Sequence, residues 1–220
     1  MSRILTALLT IGLLAASSVA YAQSATQRIR GDVVALDGAN VRIKSPEGED
    51  LSVKLMDDVR LTAVSRASAA DIKAGSFVGA TAVAQPDGTL KASEVHIFPE
   101  SMRGTGEGHR PMDSRPGSTM TNATVSRISE TKPPVGSKMS NATVSKVAVA
   151  SEVLKLTLQY NGGEQTVIVE AGTPIVFLEP GDRAILAPGA HVVLNATRQA
   201  DGSLAANRVT VGKDGTVPPM

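Results

Sequence analysis

Residues 74–97 read AGSFVGATAVAQPDGTLKASEVHI, and residues 188–211 read PGAHVVLNATRQADGSLAANRVTV. At an offset of 114 residues Asp87-Gly88 falls on Asp201-Gly202, Leu90 on Leu204, Ala92 on Ala206 and Val95 on Val209. An internal repeat is read before anything else, because it fixes the architecture that every local assignment must fit. Upstream the match is weaker but keeps its order: ANVRIKSPEGEDLSVKL (39–55) parallels SEVLKLTLQYNGGEQTVIV (151–169). Two copies of one fold is the economical reading.

Each copy has the pattern of half-buried strands. Val41 and Ile43, then Leu51, Val53 and Leu55, alternate with polar residues, as do Leu156 and Leu158, then Val167 and Val169. That is the period of two expected when one sheet face meets a core. Between these runs Asp37-Gly38, Glu47-Gly48, Asp87-Gly88, Asn161-Gly162 and Asp201-Gly202 supply the positive-φ positions that tight hairpins need. A short helical turn fits over 67–74. The expectation is an all-β chain: two tandem five-stranded OB-like or SH3-like small barrels joined by a Pro/Gly-rich linker, after an N-terminal signal helix. Barrel closure removes the exposed strand edges that a module of this size must manage. The boundaries read 1–22 for the signal, 23–98 for the first barrel, 99–138 for the linker, 139–213 for the second barrel and 214–220 for a disordered tail. A single sandwich built from both copies is the alternative.

GDVVALDG (31–38) and SFVGATAVAQPDGTLKASEV (76–95), with the D-G turn and the A-x-x-V ending, resemble a family of exported bacterial domains of unknown function with small OB-like barrels. The resemblance covers the first copy well and the second half of the second copy. It implies a fold and a compartment, and no activity.

The first 22 residues carry the marks of a secretory signal: Arg3, an apolar run over 4–14, and Ala20-Tyr21-Ala22 as an A-x-A cleavage site, with Gln23 as the new N-terminus. The apolar run is shorter than the roughly 20 residues that span a bilayer. The expected location is the periplasm, with secretion as the alternative, and no membrane insertion follows signal removal. Without Arg3, 21 basic side chains face 21 acidic ones, so no global field favours nucleic acid. Zero Cys excludes disulfides, thiolate metal sites and cysteine nucleophiles. Three Phe, two Tyr and no Trp are too few for a base-stacking surface.

Residues 99–138 hold five Pro and five Gly, a linker composition. Inside them GSTMTNATVS (117–126) recurs as GSKMSNATVS (136–145). The later copy reads as the first strand of the second barrel, and the earlier one as a surplus edge strand or a competitor for the same place. Such competition allows a homo-oligomer by strand exchange.

Chemistry-bearing motifs are sparse. His109 has Met102 and Met112 nearby, and imidazole with thioethers suits copper(I), so Met102, His109 and Met112 form the one metal candidate and copper the one cofactor. His191 falls on Phe77 across the repeat, which reads as packing. Gly104-Thr105-Gly106-Glu107-Gly108 lacks the Lys-Ser/Thr of a phosphate loop, there is no G-x-S-x-G elbow, and strand geometry would point Asp57 and Asp58 to opposite faces. The reading is a non-enzymatic exported module of the cell envelope that binds an envelope protein or a small ligand. Periplasmic copper handling is the alternative.

Overall fold

The computed structural model describes residues 26–112, 116–131 and 153–219. The expected signal segment, including Ala20, Ala22 and Gln23, and the later copy of the short duplication lie outside the described residues. Twelve strands run in chain order among the described residues: β1 Thr26–Asp37, β2 Asn40–Lys44, β3 Asp50–Ala67, β4 Phe77–Ala84, β5 Leu90–Ile97, β6 Gly108–Pro111, β7 Ser118–Thr131, β8 Val153–Tyr160, β9 Gly163–Val169, β10 Ile175–Pro180, β11 His191–Arg198 and β12 Leu204–Gly212. The all-β expectation holds, and the regular elements other than strands are three short 3-10 turns among the described residues.

A five-stranded barrel closes in the order β1–β2–β3–β12–β11. β12 lies parallel to β3 from Leu204↔Val53 to Gly212↔Val64, and β11 returns antiparallel to β1 from Thr26↔Thr197 to Asp32↔His191. Its interior is filled by one aliphatic cluster that includes Val33, Val41, Ile43, Leu55, Leu194 and Val209. The remaining strands run β7–β8–β9 and β5–β4–β7, with a two-residue parallel contact, Leu90↔Val167 and Lys91↔Ile168, joining β9 to β5. A second cluster, including Val78, Ala80, Val95, Leu156, Leu158 and Val167, fills that ring.

The strands of each expected module are divided between the two rings. β1, β2 and β3 from residues 23–98 close with β11 and β12 from residues 139–213, while β4 and β5 close with β8 and β9. The cause lies in β3, which does not turn back after its hairpin but continues as an 18-residue strand. Its second half pairs antiparallel with β10, from Pro180↔Thr62 to Ile175↔Ala67. At the centre Val64 meets Leu178, its own equivalent at the 114-residue offset, so the two copies cross about a local two-fold axis. Each crossing strand delivers the following hairpin to the other ring.

The expected linker also carries structure. β7 starts at Ser118, inside 99–138, and supplies the first strand of the second ring with Thr121, Ala123 and Val125 buried. Its run of Ser, Thr and Val has the β-branched character of a strand, which the Pro and Gly on either side conceal. The earlier copy of the short duplication therefore occupies that place. β6 pairs along β7 outside the ring. The segment expected as a tail folds back on the barrel: Lys213 N donates to Val64 O at 2.8 Å, and Thr216 is buried. Gly212 permits this, because a Cβ there would stand 1.6 Å from Thr216 O.

Candidate functional site

Side chains alternate across a strand, so residues facing out of one ring and paired across its neighbours form rows. On the first barrel Arg28 pairs with Asn195, Asn195 with Arg208, and Arg208 with Arg60. Two residues along each strand the next row is Arg30, Val193, Thr210 and Thr62. The counterpart on the second ring is Glu94, Thr81, Met120 and Arg110, followed by His96, Gly79, Asn122 and Gly108. Glu94 and Thr81 are the equivalents of Arg208 and Asn195 at the 114-residue offset.

Members of both sets of rows line one cavity of about 490 Å³, with the axis residues Val64 and Leu178 in its lining. Phe98 and Met102 also line it. Arg28, Arg60 and Arg208 come from the first barrel and Arg110 from the strand laid over the second ring. None of the four makes an ion pair among the described residues. Arg110 Nη1 donates to Gly106 O at 2.7 Å. Like charges in neighbouring positions of a sheet repel, and Arg208 beside Arg60 is such a pair.

The opposite wall is built differently. Glu94 is 1% exposed, and Thr81 Oγ1 donates to its Oε1 at 2.8 Å. His96 Nε2 lies 3.6 Å from the same oxygen. Burial holds the His96 imidazolium below the usual histidine range, and the Glu94 carboxylate works in the opposite direction. The sulfurs of Met112 and Met120 lie 3.6 and 3.8 Å from Thr81 Oγ1. Asn122 Nδ2 donates to Thr105 O at 3.0 Å, but its Oδ1 is buried without a partner. A buried acceptor left unpaired costs about 1–3 kcal/mol. Gly79 makes room for this amide, since a Cβ there would meet Asn122 Oδ1 at 2.7 Å and Phe98 Cε2 at 3.0 Å.

Two of the three residues chosen from sequence line this cavity, Met102 and Met112. His109 does not. It sits on β6 beside Arg110, and a strand turns neighbouring side chains to opposite sides. Its Nδ1 is 2.8 Å from Thr121 Oγ1, and its ring stacks on Tyr160 at a centroid distance of 6.5 Å. His96 is the histidine that belongs to the cavity. His191 is bound to Asp32, Nδ1 to Oδ1 at 2.5 Å, at the seam where β11 meets β1. Among the described residues no three of His, Asp and Glu are grouped to hold a metal ion. The arginine row escapes a linear reading because Arg28, Arg60 and Arg208 share no motif and meet only through strand register. No helix among the described residues is long and apolar enough to cross a membrane.

No protein-family model, no curated protein and no solved structure matches the chain.

Proposed function

We propose that the protein is an exported, non-catalytic binding module of the cell envelope whose ligand is a small anion held in the cavity between the two rings. One observation carries the reading: four guanidiniums line one cavity with no carboxylate paired to any of them among the described residues. Three lie in a single cross-strand row with Asn195, an arrangement that opposes stability until an anion arrives. Guanidinium forks match carboxylate and phosphate oxygens. The five-stranded closure supports the OB-like reading, and in that architecture ligands are bound on the barrel face and its loops. The sequence of residues 1–22 supports export, to the periplasm or beyond the cell.

The non-catalytic part of the reading rests on how the hydroxyls are used. Thr81 Oγ1 donates a hydrogen bond to Glu94 Oε1, and its side chain is 1% exposed and outside the cavity lining, so it is not reachable as a nucleophile. Thr121, beside His109, is fully buried. Copper handling is the alternative, and the thioethers of Met112 and Met120, which share the cavity lining with His96, are what favour it. Four guanidiniums around the same space set a repulsive field against any cation, which makes the anion the better fit.

Calorimetric titration with citrate at low salt tests the proposal. Saturable binding that weakens at least tenfold in an Arg60→Gln/Arg208→Gln variant supports it. Absence of binding by the wild-type protein, or equal binding by the variant, overturns it.

A further inference from the structure

The two walls of the cavity ask for different chemistry from one ligand. On the first barrel Arg208 and Arg60 are immediate neighbours, while Arg28 stands two strands from Arg208. Adjacent strands are about 4.8 Å apart, so the row offers one anion position between Arg208 and Arg60 and a second about 10 Å away. A single carboxylate or phosphate cannot occupy both. Asn195 lies between them and offers an amide to the part of the ligand that bridges the two positions.

The opposite wall presents acceptors beside the Arg110 guanidinium. Glu94 shares its buried carboxylate with Thr81 and His96, and Asn122 Oδ1 has no donor. A ligand carrying only acid groups would meet the Glu94 carboxylate with like charge and leave Asn122 Oδ1 without a donor, and a buried acceptor is satisfied only by an O–H or N–H. Val64, Leu178 and Phe98 add an apolar lining that suits the C–H face of a ring. The cavity, about 490 Å³, is of the size that holds small ligands.

We propose that the cavity binds an acidic oligosaccharide, its carboxylates on the Arg28–Asn195–Arg208–Arg60 row and its hydroxyls on Glu94 and Asn122. This rests on the anion reading above and narrows it. A ring bearing neighbouring hydroxyls offers several donors on one side. An extended acidic peptide spaces its N–H groups along the chain and turns alternate ones away, so it satisfies the two acceptors less well.

The experiment is calorimetry on the wild-type protein with four probes: trigalacturonate, maltotriose, glutarate and triglutamate. Trigalacturonate is expected to bind at least tenfold more tightly than glutarate or triglutamate, with no measurable binding of maltotriose. The Arg60→Gln/Arg208→Gln variant, altered only at exposed side chains, should lose trigalacturonate at least tenfold while keeping its circular dichroism spectrum. Glutarate equal to trigalacturonate leaves the anion cleft standing and refutes the saccharide. Tighter binding of triglutamate replaces the saccharide with an acidic peptide. Maltotriose binding as well as trigalacturonate removes the role of the arginine row, and failure of all three acids overturns the anion reading itself.

Discussion

The exchange of hairpins between the two rings can be locked and read with one disulfide. Thr26 and Thr197 are register partners across β1 and β11, with their Oγ1 atoms 3.4 Å apart on an exposed edge. Paired positions on antiparallel strands have Cα separations of about 4.5–5.5 Å, within the span a disulfide bridges. The natural chain has no Cys, so Thr26→Cys/Thr197→Cys introduces a single thiol pair. The residues are 171 positions apart, and chain-entropy loss for a loop that long is worth about 5 kcal/mol at most. For a protein of this size that corresponds to a rise of roughly 10–20 °C in Tm. The control follows from the repeat: Val83 is the equivalent of Thr197 at the 114-residue offset, so a first module closed on itself would place Val83 opposite Thr26. Instead Val83 pairs with Ser118 on β7. After oxidation, non-reducing electrophoresis and thiol counting should show Thr26→Cys/Thr197→Cys closed within a monomer and Thr26→Cys/Val83→Cys open. The reverse outcome refutes the exchanged arrangement. A dimer-sized band for the first variant would place the exchange between chains rather than within one.

The separation of the two cores predicts additivity. Leu194→Ala and Leu156→Ala remove fully buried side chains from different clusters, so each should cost about 2–5 kcal/mol and the double variant should equal their sum to within about 0.5 kcal/mol in urea unfolding. The wall histidine predicts a pH dependence. His96 has its folded-state pKa lowered by burial, so the unfolded chain takes up the proton first. Stability attributable to it should be level above the unfolded value of about 6.5 and decline as pH falls toward the folded-state value, and a His96→Gln variant should flatten that decline in pH-dependent unfolding.

The strands were legible because period-two alternation and D-G turns are local properties, and residues such as Val41, Ile43, Leu156 and Val167 point inward as their spacing requires. The turn pair shows the same fidelity: Asp87 Oδ1 accepts from Thr89 N, and its repeat equivalent Asp201 accepts from Ser203 N. The exchange was not legible, for a physical reason. Two copies with the same alternation of apolar and polar residues present equivalent edges, so the pattern of β4 or β11 is the same whichever copy it closes against. What decides between them is whether β3 and β10 turn back or run on into each other, and Val64 opposite Leu178 carries no sequence mark beyond being two apolar residues at equivalent positions. β7 was hidden differently. Its flanks are rich in Pro and Gly, and the average composition of 99–138 masks the strand-like STMTNATVSRISET within it. Proximity along the chain points to His109, and a strand undoes that proximity by sending His109 and Arg110 to opposite sides.

The crossing also explains why the cavity has two unlike walls. A local two-fold axis through Val64 and Leu178 makes the outer faces of the two rings equivalent, so identical copies would face each other with identical rows. Arg208 opposed to another Arg at the equivalent position would double the repulsion already present in the row. The chain instead has Glu94 at that place, with Thr81 for Asn195 and Gly79 for Val193. Each change shifts the second wall from cationic and bulky toward acceptor-rich and open, and Gly79 in particular leaves the volume that Asn122 and Phe98 fill. The first wall could not be assembled from one copy alone. It needs β1 and β3 from the first copy with β11 and β12 from the second, and the crossing strands hold the two walls at a fixed separation. Divergence between the copies at these rows therefore acts on the ligand space while the aliphatic interiors of both rings keep the alternation they share.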